Sequence, residues 1–459
     1  MQRWNHAAAK NSLRMPKFGL TGTCGQGKSP CLPLRDLNQS STMLKTFPYR
    51  YRVLILLFFL ILITYLDRVC ISLVGVRIKS EFNLSNEEFG WVLAAFSLAY
   101  ALFEIPSGIM GDRIGQRGVL MRIVIWWSIF TVLTGATSGL VSLIAVRFLF
   151  GAGEAGAFPT SSGVVSRWFP VSETGRSLSA LFVGQNTGAA LAPLLVIPVA
   201  AAFGWRASFM ISGVIGLLWV LVCFAWFRNN PSEMKGISEA EQKLIEDNRR
   251  FVTERPVFPW RKALTNRSLL ALIGAFFCSQ WGLYFFIAWM PVYLQEGRHF
   301  PENEMKMITT YTFIFGIAGS LSAGLLSDWW VKRKGLLWGR RVIGVLALGL
   351  MAVSFLAAAL TTNNVLVVIC LYSGLLFYPF NVIASFATCV DIGSNRVGTV
   401  VGIMNFFGQA GAFFLAIVFG KIVDVTHSFN APLFVLAGVL FVGSILWLWV
   451  NPFKSIQAT

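Results

Sequence analysis

Charge is scarce in this chain. Asp, Glu, Lys and Arg make up 13% of its 459 residues, about half the share of a soluble domain. That density cannot clothe a soluble surface around material that is 55% hydrophobic. Histidine is rarer still: His6, His299 and His427 are the only three, and all fall outside the apolar runs. This excludes a histidine proton relay within those runs and leaves no candidate metal site. The seven cysteines are an odd number without ligand spacing, which argues against both a disulfide framework and zinc. Residues 1–46 lack the apolar core of a signal peptide and hold one acid, Asp36. They cannot build a packed core, so they are expected to form a disordered extension. A start miscalled upstream of Met43 and an organellar transit segment are the alternatives.

What the chain does have is a series of long apolar runs. They are expected near 53–76, 89–109, 118–137, 140–166, 177–202, 207–228, 268–294, 307–327, 340–361, 364–390, 397–420 and 431–451. Each is close to the roughly 20 residues that a helix needs to cross hydrocarbon. An all-α membrane protein of twelve transmembrane helices follows, divided into a six-helix bundle at 47–228, a cytoplasmic linker at 229–267 and a second bundle at 268–453. In the linker, Ser238 and Glu241 have the spacing of a capping box and open an expected helix from Ala240 to Arg250.

The net charge of +17 would point to nucleic acid in a soluble protein. Here it reads as orientation. Of the 38 Lys and Arg residues, 29 fall on one side if the N-terminus is inside, and six on the other. Both termini are therefore expected in the cytosol, with the protein in the cell membrane and no nucleic-acid partner.

The two halves echo each other. Gly108-Ile-Met-Gly111-Asp112-Arg113-Ile-Gly115-Gln116-Arg117 follows the second run, and Gly324-Leu-Leu-Ser-Asp328, then Lys332-Arg333, follows the eighth. Pro159 is answered by Pro379, and Gln185 by Gln409. Matches in order at nearly one offset signal duplication. The short acidic-basic loop is expected to latch one conformation through Gly108, Asp112, Arg113, Arg117 and Asp328.

Charges inside a bilayer need a reason, because each costs about 2.5–3.5 kcal/mol on insertion scales. The first half carries Asp67, Arg68, Glu104, Arg147 and Glu154 within its runs, and the second half carries none near a run's centre. Arg147 and Glu154 are seven residues apart and share a helix face. Asp67, Arg68, Arg147 and Glu154 are expected around one watery pocket at mid-membrane. There, protonation of Asp67 or Glu154 would leave an arginine free for a substrate carboxylate. Glu104, beside Pro106, is expected to support the Asp112 loop. Gly184, Gly188 and Ala192 suit close helix packing. The second half offers Gln280, Tyr284, Tyr372, Tyr378, Asn381, Ser385, Asn405 and Gln409, with Trp281, Phe406 and Phe407, to a polyol tail. Tyr284 and Tyr378 are candidate substrate contacts, and so is Arg147.

The segment from Gly108 to Arg117 resembles the signature between helices two and three of the major facilitator superfamily. The resemblance covers about residues 50–452 and implies two six-helix bundles around a central cavity with alternating access. Within that superfamily, Thr64-Tyr65-Leu66-Asp67-Arg68 is similar to the Tyr-x-Asp-Arg signature of the anion:cation symporter family, the sialin-like sugar-acid/proton symporters. Arg147-Phe148-x-x-Gly151-x-Gly153-Glu154, the Ala95–Tyr100 segment, Ile105-Pro106 and Ile237–Glu241 resemble further parts of it. By position this implies substrate contact for Tyr65, Arg68, Tyr100, Gln185 and Asn405, and proton coupling at Asp67 and Glu154. Leu93 stands where vesicular glutamate relatives carry a histidine, so that activity is not expected. Tyr378-Pro379-Phe380-Asn381 and Thr388–Asp391 match no single substrate.

The expectation is a monomeric, proton-coupled symporter for a small carboxylate, a sugar acid, with no cofactor beyond the coupling proton and no enzymatic reaction. An anion exchanger and a non-transporting ligand sensor are the alternatives.

Overall fold

The computed structural model describes residues 47–248, 260–393 and 397–454. The expected disorder of residues 1–46 lies outside them. Among the described residues, twelve helices are long and apolar enough to cross a membrane: α1 (Tyr49–Leu73), α2 (Asn86–Gly111), α3 (Gln116–Thr134), α4 (Leu140–Trp168), α5 (Ser172–Phe203), α6 (Trp205–Trp226), α7 (Arg267–Gly297), α8 (Glu302–Ser327), α9 (Trp329–Leu360), α10 (Asn364–Gly393), α11 (Val397–Thr426) and α12 (Ala431–Trp449). Most of the helices outrun the apolar stretches read from sequence, because the backbone ladder continues into polar residues that can meet water, whereas α3, α6 and α12 do not.

Burial separates central from peripheral helices. The apolar stretches of α1 and α7 are 72% and 78% buried, and that of α6 only 39%. α6 leaves Val214, Leu218, Leu221 and Phe224 more than half exposed, a surface that only lipid tolerates on this scale. The protein is a multi-pass membrane protein. Its halves meet where α2 packs on α11 and α5 on α8. α5 also lies along α1, and Gly188 explains the approach: a Cβ there would sit 2.0 Å from the Leu62 carbonyl oxygen. The small residues expected to serve helix packing do so.

The linker departs from expectation in one respect. Its helix is Glu239–Asn248, with 249–259 outside the described residues. The Ser238 hydroxyl does accept from the Glu241 amide, at 3.2 Å. The Glu241 carboxylate does not return the bond. It accepts instead from the Tyr49 and Arg50 amides, each at 3.1 Å, and so caps the start of α1. An acid at a helix N-terminus satisfies free amides and offsets the helix dipole, and this ties the linker to the first bundle.

Candidate functional site

α4 is not continuous. It is a helix Leu140–Glu154 followed by a second, Ala157–Trp168. The break is at Gly156, whose φ of +93° suits glycine and few other residues. Glu154 therefore ends a half-helix in the interior, where its carboxylate meets Arg68 of α1. The Arg68 Nε donates to Glu154 Oε1, and the two side chains are 5% and 0% exposed.

Rings enclose the rest of the guanidinium. Its carbon lies 4.8 Å from the Tyr65 ring centre, 5.0 Å from Phe96 and 4.6 Å from Tyr100. A desolvated cation over aromatic faces gains about 2 kcal/mol per good contact. The cage thus holds the charge at the inner end of a cavity while Glu154 occupies one of its donors.

That cavity has a volume of about 250 Å³ and lies between the halves. Of the expected substrate contacts, Tyr65, Arg68, Tyr100, Gln185, Tyr378 and Asn405 line it. Gln280 and Gln409 join them from the second half. The Tyr378 hydroxyl donates to Gln280 Oε1 at 2.7 Å, and the Tyr284 hydroxyl to Gln409 Oε1 at 2.8 Å. The hydroxyls thereby fix the orientation of both amides and leave their remaining groups for a ligand. The cavity runs from the centre toward the face that carries the termini, since Gly175, Ser179 and Phe386 on that side also line it.

The other expected groups do not share this pocket. Asp67 is 1% exposed and lines no part of the cavity. Its neighbours are Glu154, Arg147, Ser212 and Trp127, and both its carboxylate oxygens are buried. Adjacent residues on a helix point about 100° apart, so Asp67 turns toward α3 and α6 when Arg68 turns to the cavity. Arg147 and Tyr284 instead border a small void of about 20 Å³ beyond the Arg68 cage. The Arg147 guanidinium lies over Phe150 and Phe96, at 4.5 and 5.3 Å. The expectation of one watery pocket for all four charges is corrected to two buried groups flanking a cavity that Arg68 alone reaches.

Glu104 is the residue that sequence reasoning misplaced. It lines the cavity, is 6% exposed, and faces the Asn405 amide nitrogen at 3.5 Å. It lies four residues from Tyr100, one helical turn on the same face. That spacing was the signal available, and the neighbouring Pro106 obscured it. Asn381 and Ser385 also miss the cavity, and the Asn381 oxygen accepts from Trp447 Nε1 at 2.8 Å.

Around the acidic-basic loops, the side chains of Asp112 and Asp328 lie outside what the structure describes. Gly108 faces Pro159 of α4, and Arg113 is exposed. The Arg117 amide donates to Asn229 Oδ1 at 2.8 Å, and its guanidinium to the Phe224 carbonyl at 2.6 Å. In the second half, Arg340 pairs with Asp391 at 3.2 Å and reaches Ser327 Oγ at 3.1 Å. These bonds join helices within one half.

The halves are pinned together on the face away from the termini. Arg77 holds Glu302 at 2.8 Å, and Lys79 holds Glu296 at 2.6 Å. Asp424 of α11 accepts from the Asn86 and Glu87 amides and from the Asn86 side chain, at 2.7 to 3.2 Å. An acid of the second half thus caps the first turn of α2. Single exposed pairs contribute little, about 0.2–1 kcal/mol, but these act on one rigid-body equilibrium. Combining Arg77→Gln, Lys79→Gln and Asp424→Asn is expected to shift the population toward opening on this face by tenfold or more. Spin labels at positions 83 and 428 would read it as a lengthened distance between the halves. An unchanged distance distribution would remove the latch role.

The chain matches the Major Facilitator Superfamily model over residues 57–416. It is similar to a protein named "Probable sulfoacetate transporter SauU" from Cupriavidus necator, with 31% identity over 89% of this chain and 95% of the relative. It is also similar to the hexuronate transporter of Bacillus subtilis, with 31% identity over 85% and 92%, and to a D-galactonate transporter of Escherichia coli O6:H1, with 29% over 87% and 95%. Among solved structures it resembles a bacterial homologue of the human lysosomal transporter Spinster, with a TM-score of 0.71 over 90% of this chain and 99% of that one, at 18% identity. That last likeness concerns the fold.

Proposed function

This chain belongs to the Major Facilitator Superfamily, and we propose that within it the protein is a proton-coupled symporter that imports a small organic anion, a sugar acid of the aldonate, aldarate or hexuronate type, by alternating access. Members of this family are transporters and not enzymes. The observation that carries the proposal is Arg68, which is paired to Glu154 on one side and opens onto a cavity lined by amides and hydroxyls on the other. Relatives named for hexuronates and galactonate support the same substrate class.

The chemistry follows from the pair. With Glu154 ionised, the Arg68 charge is met from within the protein. A proton on Glu154 removes that partner, and the guanidinium fork then favours a substrate carboxylate. Proton and anion each promote binding of the other, as linkage requires. The amides of Gln185, Gln280 and Asn405 bond the hydroxyls of the carbon chain, and the rings of Tyr65 and Tyr100 cover its CH face. Asp67, shielded beside Arg147, is the second coupling acid in this reading.

The basic bias of the termini face supports a cytosolic orientation for it in this proposal. The cavity then opens inward, with the Arg77, Lys79 and Asp424 contacts closing the outer side. Import consists of breaking those contacts, loading from outside, and restoring them.

The test is uptake into proteoliposomes of radiolabelled aldonates, aldarates, uronates and sialate, with and without an imposed gradient, alkaline inside. Accumulation of a sugar acid that needs the gradient and is abolished by a protonophore is expected. Gradient-independent uptake driven only by internal anion would make the protein an exchanger, and binding without flux would make it a sensor.

A further inference from the structure

Glu104 adds a charge that the pairing of Arg68 with Glu154 does not account for. The buried ionisable groups around the cavity are Asp67, Glu104 and Glu154 against Arg68 and Arg147. Without Glu104, acids and arginines balance. With it, the cluster carries one excess negative charge when every group is ionised. Among the described residues no Lys or Arg forms an ion pair with Glu104: the Arg68 guanidinium acts on it through space, but bonds Glu154. Its one polar neighbour by hydrogen bonding is the neutral Asn405 amide, which comes from the opposite half.

Position gives this charge a consequence. Tyr100 belongs to the Arg68 cage, and Glu104 lies four residues further along α2, about 6 Å at 1.5 Å per residue, toward the open face. A six-carbon acid whose carboxylate engages Arg68 extends far enough to bring its other end to Glu104. A hydroxyl there donates to the carboxylate. A second carboxylate there meets a like charge on a side chain that is only 6% exposed, and like charges opposed at close range are a strong means of rejecting a ligand.

We propose that Glu104 is a charge filter: it confines the cavity to anions with one carboxylate and a hydroxylated far end, and turns away acids charged at both ends. This rests on the sugar-acid reading above and narrows it to aldonates and hexuronates over aldarates. Glu104 is a specificity-determining residue in this scheme, distinct from the Arg68–Glu154 pair that binds and couples.

D-gluconate and D-glucarate test it, because both are open-chain six-carbon acids that differ only in whether C6 is a hydroxymethyl group or a second carboxylate. Binding to the purified full-length protein is measured at pH 8 by quenching of tryptophan fluorescence, and folding of each variant by its melting temperature in detergent. Wild type is expected to prefer gluconate by about tenfold or more. Glu104→Gln, which keeps the shape and can still bond Asn405, should bring the two ligands within about threefold, mainly through tighter glucarate binding. Glu104→Asp, which keeps the charge, should keep the preference. A role confined to joining the halves through Asn405 would change stability and leave the ratio alone. Equal binding by wild type, an unmoved ratio in Glu104→Gln, or an aspartate variant that behaves like the glutamine one would each overturn the filter alone. Failure of wild type to bind either acid or D-galactonate would overturn both the filter and the sugar-acid proposal.

Discussion

Arg68→Lys is expected to abolish saturable uptake while leaving the protein folded. The positive charge survives the change, so the result depends on geometry. In the native site the Arg68 Nε is committed to Glu154, and the terminal nitrogens remain for the cavity, one of them 3.4 Å from the Tyr65 hydroxyl. A guanidinium can serve two acceptors at once because its donors diverge in a fixed plane. A lysine ammonium is a single point. It either stays with Glu154 or leaves that carboxylate buried without a partner to meet the substrate. Losing one side of a buried, hydrogen-bonded charge pair costs about 2–5 kcal/mol, so uptake should fall by a hundredfold or more. The aromatic cage accepts an ammonium as readily as a guanidinium, and the melting temperature in detergent should shift little. Initial rates in proteoliposomes under an imposed gradient check the prediction, and a Lys variant that retains a tenth of wild-type uptake would contradict it.

Glu154→Gln is expected to separate exchange from net transport. The glutamine oxygen can still accept from Arg68, so the cage and the α4 break keep their form. What changes is that the Arg68 charge is never met from inside the protein. The substrate carboxylate then binds whether or not a proton is available, and release no longer waits for proton loss. Counterflow of labelled substrate against unlabelled substrate should persist near the wild-type rate, while accumulation driven by a pH gradient falls to background. The sign is set by linkage. In wild type, raising the pH ionises Glu154 and weakens anion binding. In the variant most of that dependence is gone, and affinity at alkaline pH exceeds wild type. Gradient-driven uptake surviving intact in Glu154→Gln would assign coupling elsewhere, with Asp67 the next acid to test.

The two variants also separate Glu104 from the coupling machinery. Glu104→Gln should change the ratio in which mono- and dicarboxylates are accepted, and the uptake it supports should still depend on the proton gradient, because the Arg68–Glu154 pair is untouched.

The sequence alone determined the architecture of this protein. Twelve apolar runs near bilayer length, an internal duplication and a one-sided distribution of Lys and Arg follow from local composition, and the bilayer leaves few structures open to such a chain. It also marked the ionisable residues that fall within the apolar runs, since such a residue inside hydrocarbon declares itself by its cost. Tertiary structure alone decided how those charges are divided. Asp67 and Arg68 are neighbours in the chain and point apart in the fold, one toward α3 and α6 and one into the cavity. Glu154 became the partner of Arg68 because α4 breaks at Gly156, an irregularity that helical periodicity does not show. Glu104 reads from sequence as an acid within the second run that supports the Asp112 loop, and only the approach of Asn405 from a helix some 300 residues away makes it part of the site. Periodicity specifies which face of a helix a residue occupies, whereas the partner that face meets depends on how twelve helices pack, and that packing is a long-range property of the whole chain.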